Sequence, residues 1–242
     1  MSEFWANLYR RFYLAFLEKD RWRSYLTGVG STLEVTVLAL LMGVLLGALV
    51  AIVRTAHDQR RPGKVTAGSV VLDIFNAISK IYVTIIRGTP SMVQLLILGF
   101  VIFKSSRNFL LVGALGLGIN SGAYVAEIIR SGLMSVDKGQ MEAGRSLGMN
   151  YFSTMIHIII PQAIKNILPA LGNEFIVLLK DTSLISVIAG KELLYAARAI
   201  GAKTYDYMFP LLGTAVVYLV LVMIFTWLLG ILERRLRKSD RR

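Results

Sequence analysis

The side chains able to do chemistry in this chain are polar groups set inside apolar runs. Between about 168 and 189, Asn173 and Lys180 stand seven apart, as do Glu174 and Asp181. At 3.6 residues per turn the four fall within an arc of roughly 120°. Asn120, Tyr124 and Glu127, continued by Ser131, make a similar stripe farther upstream. Charged groups are expensive at a bilayer centre, so they face a cavity, the bundle interior or the interface, and they mark a solute pathway. The plainer alternative is that Lys180 and Asp181 neutralise each other, or that Glu127 sits near the membrane boundary. A third feature is the break Arg87-Gly-Thr89-Pro90, followed by Gln94. Proline removes a backbone donor, and the residue before it avoids helical geometry. A helix restarting at Pro90 would point its positive end into the space opened there, where an anionic group of a solute can be met. A kink without a ligand is the alternative.

Enzyme chemistry finds little to work with. His57 and His157 lie in predicted loops, neither at metal-ligand spacing from a second His, and there is no cysteine. The run from Gly116 to Gly122 has the wrong spacing for a dinucleotide fingerprint, and no lysine-bearing phosphate loop occurs. No nucleophile is paired with a base. No catalytic residue, metal ligand or cofactor is expected in this chain.

The elements that must position these groups are membrane helices. Of the 242 residues, 55% are hydrophobic and 17% charged, with a mean hydropathy of +0.60; a soluble domain carries about 25% charged residues. The apolar runs approach the roughly 20 residues needed to cross a bilayer. Five spans are expected, at about 29–53, 81–103 (interrupted at Gly88 and Pro90), 109–129, 168–189 and 209–232. The fold class is therefore all-α, a polytopic membrane bundle. The net charge of +12 sits between the apolar runs, where it meets anionic lipid and not nucleic acid. Residues 4–25 mix aromatics with Arg10, Arg11, Lys19, Arg21 and Arg23, the pattern of an amphipathic helix lying in the headgroup region. Three regions result: 1–26 interfacial, 27–235 transmembrane, and a basic tail, 236–242.

Lys and Arg are more numerous in the tail (Arg234 to Arg242), in the segment from Arg54 to Lys80, and after the third span than on the opposite side. The positive-inside tendency assigns those segments to the cytoplasm, with the N-terminus outside. Gly43 and Gly47, and Gly118 and Gly122, are each four apart, a spacing that lets membrane helices approach closely.

Between the third and fourth spans, Gly139 to Gly148 reads as a short helix stopped by glycine, and a second helical piece from about Tyr151 to Ile160 ends at Pro161. A short helix displayed between spans suits a groove on a soluble partner. This stretch (about 139–161) resembles the EAA motif of permease subunits of binding-protein-dependent ABC importers. It runs Glu142-Ala143-Gly144, Gly148, then Ile158-Ile159-Ile160-Pro161, with Gly144 in place of the third alanine and Ile160 in place of leucine. The stretches around Arg87–Gln94, Asn120–Gly132 and Pro161–Phe175 are similar to the polar amino-acid branch of that family. Residues 57–69 fall outside the resemblance and read as an insertion in the first cytoplasmic loop.

The resemblance implies a permease in the bacterial cytoplasmic (inner) membrane. Two permease chains, identical or paralogous, would form a bundle, with membrane lipid around it. A cytoplasmic ATPase dimer would dock on the coupling helices and hydrolyse ATP-Mg, and an extracellular or periplasmic binding protein would deliver the amino acid. Glu142, Ala143, Gly144, Arg145 and Gly148 would then couple to the ATPase. The substrate pathway residues are Asn173, Glu174, Thr89, Gln94, Asn120, Tyr124, Lys180 and Asp181. An anionic Glu174 favours cationic amino acids slightly, although an Asn-Glu pair equally suits the ammonium group every amino acid carries. A channel or signalling scaffold without ATP coupling is the competing class, and it has no need of the EAA segment.

Overall fold

The computed structural model describes residues 2–60 and 66–238, and these are helical with no strand among them. The helices are α1 (Ser2–Phe16), α2 (Trp22–Asp58), α3 (Ala67–Gly88), α4 (Ser91–Ile97), α5 (Phe109–Met134), α6 (Lys138–Ser146), α7 (Tyr151–Thr154), α8 (Ile160–Asp181), α9 (Leu193–Thr204) and α10 (Met208–Lys238). Arg61, Lys64, Arg241 and Arg242, used above for orientation, lie outside the described residues, as does most of the basic tail.

Among the described residues, four helices have the length and composition to cross a bilayer: Trp22–Asp58, Ala67–Gly88, Phe109–Met134 and the stretch Met208–Leu236. The segment expected as a loop from 54 to 80 is mostly helix. α2 runs on to Asp58, and α3 starts at Ala67 behind a Thr66 cap whose side chain accepts from Ser69 N. The expected span 81–103 is consequently the end of α3 joined to a shorter apolar piece, Ser91–Ile102. The break between them falls where the sequence places it: Thr89 is extended, at φ −121° and ψ 147°, because Pro90 crowds a helical predecessor. At 37 residues α2 is about 55 Å long, well beyond a hydrocarbon core of about 30 Å, so its charged end projects from the bilayer.

The expected fourth span, 168–189, is shifted. α8 begins earlier, at Ile160, carries Pro169 inside it, and stops at Asp181, where a 3-10 turn (Thr182–Ile188) takes over. Its 22 residues would reach about 33 Å, but Lys165, Asn166, Asn173, Glu174 and Lys180 make it less apolar than the four helices above. Pro161 does not end the preceding piece as expected. It lies in the first turn of α8, where a missing N–H costs nothing, and a π-turn at Met155–Ile159 makes the join.

The chain divides into two compact units. One comprises residues up to 39, 91–117 and 176–227. Its core gathers Tyr25, Leu193, Ala197 and Ile200, with Phe16, Val29, Val217 and Tyr218 packed around them. α1 is anchored here: Arg11 Nε and Nη2 donate to Asp206 at 2.6 and 2.8 Å, and Phe12 meets Phe209 edge-on at 5.9 Å. Phe4, Trp5 and Tyr9 stay exposed. In the connection between α8 and α10, Glu192 caps α9, accepting 2.7 Å hydrogen bonds from Leu194 N and Tyr195 N, while Tyr218 donates at 3.0 Å to Oε2, the oxygen that also accepts from Leu194 N.

The second unit comprises 40–90, 118–175 and the chain from 228 on. Here α2 lies so close to α5 that a Cβ on Gly47 would stand 2.7 Å from Val125 Cβ, and one on Gly43 would stand 2.7 Å from Ser121 Oγ. The small residues thus serve the close helix approach expected of them. Tyr82 of α3 donates to Ile119 O at 2.6 Å.

Candidate functional site

Two features of the second unit carry the functional argument. The first is a cavity of about 350 Å³ lined by Arg87, Tyr124, Glu127, Ser131, Asn166 and Glu174, among others. α3 supplies Arg87 from its last turn, α5 the face Tyr124–Glu127–Ser131, and α8 Asn166 and Glu174. The spacing of three and four residues puts the α5 groups on one face. The Arg87 guanidinium lies over the Tyr124 ring, 5.2 Å from its centroid. Ser121 donates to Glu174 Oε1 at 2.7 Å. Asn166 donates to Ser135 Oγ at 2.7 Å, tying α8 to α5 at the cavity wall.

Glu127 forms an ion pair with Arg54 of α2. One turn farther along, Arg130 pairs with Asp58 at 3.3 Å. His57, expected in a loop, closes the last turn of α2 between Asp58 (3.5 Å) and Asp73 of α3 (3.4 Å), and Arg60 reaches Asp73 at 2.9 Å. Arg54, Arg60 and Arg130 thus each meet a carboxylate, and these contacts tie the ends of α2, α3 and α5 together.

Of the residues expected to line a pathway, the cavity brings together Tyr124 and Glu174. Thr89, Asn120 and Asn173 belong to the same unit but do not line it. The Thr89 hydroxyl donates to Ile85 O at 2.8 Å, and Asn173 Nδ2 donates to Pro169 O at 3.3 Å, each within its own helix. Gln94, Lys180 and Asp181 belong to the other unit. The seven-residue spacing on α8 is real, but the stripe continues beyond the part of the helix that borders this cavity. Arg87 was not among the expected pathway residues. It stands in the Arg-Gly-Thr-Pro run, and only the packing of α3 on α5 shows which way it faces.

The second feature is α6. Asp137 caps it, accepting from Gly139 N at 2.8 Å. Gly148, at φ +83°, ends it in the left-handed conformation that glycine adopts at little cost. Leu147 N donates to Ala143 O and Met149 N to Gly144 O, which satisfies the last carbonyls. Glu142, Ala143 and Arg145 are exposed, while Gly144 is buried. A Cβ there would lie 2.6 Å from Thr154 Cγ2 and 3.1 Å from Ile158 Cδ1, so this glycine seats α6 on the following helical piece. Leu147 is 83% exposed, an apolar tip. Behind α6 lies a pocket of about 560 Å³ lined by Asp58, Arg130, Glu142, Arg145 and Tyr151, among others. The Tyr151 hydroxyl donates to Gln59, and burial pushes it above the usual phenol value.

Residues 65–238 match the family described as "Binding-protein-dependent transport system inner membrane component". The chain is 36% identical over 220 residues to the arginine transport system permease protein ArtQ of Bacillus subtilis, an alignment covering 89% of this chain and 93% of that one. It is 36% identical over 226 residues to the "Probable glutamine ABC transporter permease protein GlnM" of the same organism, covering 91% and 96%. A crystal structure of an amino acid ABC transporter with histidines superposes with a TM-score of 0.78 at 41% identity, covering 88% of this chain and 94% of the other. On these grounds the chain belongs to the family of inner-membrane permease components of binding-protein-dependent transport systems.

Proposed function

We propose that this chain is the translocating permease subunit of an ABC importer for a polar amino acid. A cytoplasmic ATPase dimer docks on α6 and supplies the energy of ATP-Mg hydrolysis. A second permease chain completes the bundle, and a binding protein on the outer side delivers the solute. The N-terminus lies outside and the basic C-terminus in the cytoplasm. The observation that supports this reading best is α6, a helix capped at both ends, seated through Gly144 and presenting Glu142, Arg145 and the apolar tip Leu147. Such a rigid, displayed helix is suited to a groove on a partner protein.

Substrate passes the cavity between α3, α5 and α8. Glu174 meets its positive charge, whether the α-ammonium group or a cationic side chain. Relatives named for arginine and for glutamine support an amino acid as the solute. ATP binding and hydrolysis at the partner shift the bundle between outward- and inward-facing populations, as differential affinity for two states requires. Reconstitution with ATPase and binding protein, assayed with a panel of labelled amino acids, tests the proposal. ATP-dependent accumulation of at least one polar amino acid is expected; leakage that ignores ATP would overturn it.

A further inference from the structure

We infer that the connection between α8 and α10 (residues 182–207) is the surface on which the binding protein docks, with the Tyr205 ring as its anchor and an acidic face on the partner as its complement. The inference rests on the reading of this chain as a binding-protein-dependent importer whose N-terminus lies outside. Arg11 of α1 meets Asp206, next to Tyr205, and Phe12 meets Phe209 in the first turn of α10. The connection therefore lies at the same end of its unit as α1. Tyr205 is 95% exposed, so its ring rests on almost nothing of its own chain. Its backbone is nevertheless set at φ +54° and ψ 26°, ending α9 in the left-handed conformation. Glycine adopts that conformation freely, as Gly148 does at the end of α6, whereas a tyrosine is strained by it.

Both sides of this turn are braced. Tyr205 N and Asp206 N donate to Gly201 O, the second at 3.2 Å, and the Thr204 hydroxyl donates to Ile200 O at 3.0 Å. Arg11 Nε and Nη2 hold the Asp206 carboxylate, which also accepts from Met208 N at 3.0 Å. Tyr207 packs so closely on Gly201 that a Cβ there would stand 2.4 Å from Tyr207 Cδ1. The tyrosine is thus presented from a fixed backbone while adding nothing to the packing beneath it. Tyrosine is among the side chains that dominate binding at protein interfaces, and a pre-ordered backbone lowers the entropy lost on docking. Tyrosines also collect at the level of lipid headgroups, but depth alone satisfies that role and no strained backbone is needed. The charges indicate the partner's chemistry. Lys191, Arg198 and Lys203 are exposed, whereas the carboxylates of the connection are Glu192, buried at the cap of α9, and Asp206, held by Arg11. The exposed charge of the connection is positive, which steers an acidic surface toward it.

The test measures how the binding protein that supports uptake in the reconstitution above binds the permease–ATPase complex in phosphatidylcholine nanodiscs. Tyr205→Gly is expected to weaken binding by about tenfold or more. Thermal stability should stay equal or rise in this variant, because glycine accepts the left-handed backbone without strain. Tyr205→Phe keeps the ring and is expected to retain most of the affinity. Lys203→Glu should slow association several-fold and flatten its dependence on salt. The chain has no cysteine, so Tyr205→Cys accepts one environment-sensitive fluorophore, which should respond to the binding protein and ignore brominated lipid. If Tyr205→Gly binds as the wild type does, or if brominated lipid quenches the fluorophore, the anchoring role is overturned while the importer reading stands. Unaltered association of Lys203→Glu would overturn the acidic face. If no binding protein supports uptake by the wild type, the importer reading itself fails and this inference with it.

Discussion

Gly144 and Thr154 are in such close contact that a single methyl group would not fit between them: a Cβ on Gly144 would stand 2.6 Å from Thr154 Cγ2. The glycine replaces the alanine of the EAA pattern, and the structure explains it as a packing choice. Alanine would gain up to about 1 kcal/mol of helix propensity, but overpacking a fixed, buried β-branched neighbour costs about 1–3 kcal/mol. Gly144→Ala is therefore expected to destabilise the seat of α6 and slow uptake, and Thr154→Ala added to it should recover most of the loss. A double-mutant cycle on thermal stability checks this; additive effects would show that the two positions are not in contact in solution.

Glu142 is exposed, so its replacement should leave folding within about 0.5 kcal/mol of the wild type. Glu142→Ala is expected to cut uptake by about tenfold or more, while the partner continues to hydrolyse ATP and the chain remains in the membrane. Uptake and ATPase activity measured on one reconstituted preparation decide the matter. Normal uptake would remove the docking role.

Glu174 is the carboxylate at the α8 side of the cavity, and Ser121 donates to it. Glu174→Gln keeps the shape and the acceptor oxygen while removing the charge. Transport of arginine or lysine should fall by roughly tenfold or more, the effect of losing a charge-assisted contact. Unchanged arginine transport would leave the lean toward cationic amino acids without support.

The Arg54–Glu127 pair joins α2 to α5 beside the cavity. Removing either partner, as in Arg54→Met, should destabilise the unit by about 1.5–3 kcal/mol, because the remaining charge is left partly buried. Exchanging the two residues (Arg54→Glu with Glu127→Arg) should recover at least half of that. Thermal unfolding in detergent gives the comparison, and no recovery in the exchanged variant would argue against a direct pair.

Glu192 lies in the connection between spans, 1% exposed. Burial pushes its pKa up from 4.5 to about 7, against the opposing pull of the Leu194 and Tyr195 amides, Tyr218 and Arg198. The folded chain holds this proton more tightly than the unfolded one. The associated stability is complete below pH 4.5 and is lost as pH rises toward 7. Amide exchange across the first turn of α9, corrected for intrinsic rates, should show protection falling by about tenfold or more between pH 5 and 8. Glu192→Gln should flatten that profile, and an equally steep profile in the variant would assign the titration elsewhere.

Composition and apolar run length alone determined that this chain is a helical membrane protein, since backbone in lipid must satisfy its own hydrogen bonds. Local chemistry was equally readable. Pro90 announced the break at Thr89 and Gly148 the end of α6. Periodicity also put Tyr124, Glu127 and Ser131 on one face. It did not place the start of α3 at Ala67, because Asp73, Asn76, Ser79 and Lys80 interrupt an otherwise apolar run there. Nor could it separate Glu174, which borders the cavity, from Lys180 two turns along the same stripe. Periodicity reports the direction of a side chain around its own helix. Which neighbour waits there is set by contacts between residues far apart in sequence, such as Arg54 with Glu127 and Arg87 with Tyr124, and only the packed tertiary structure decides those.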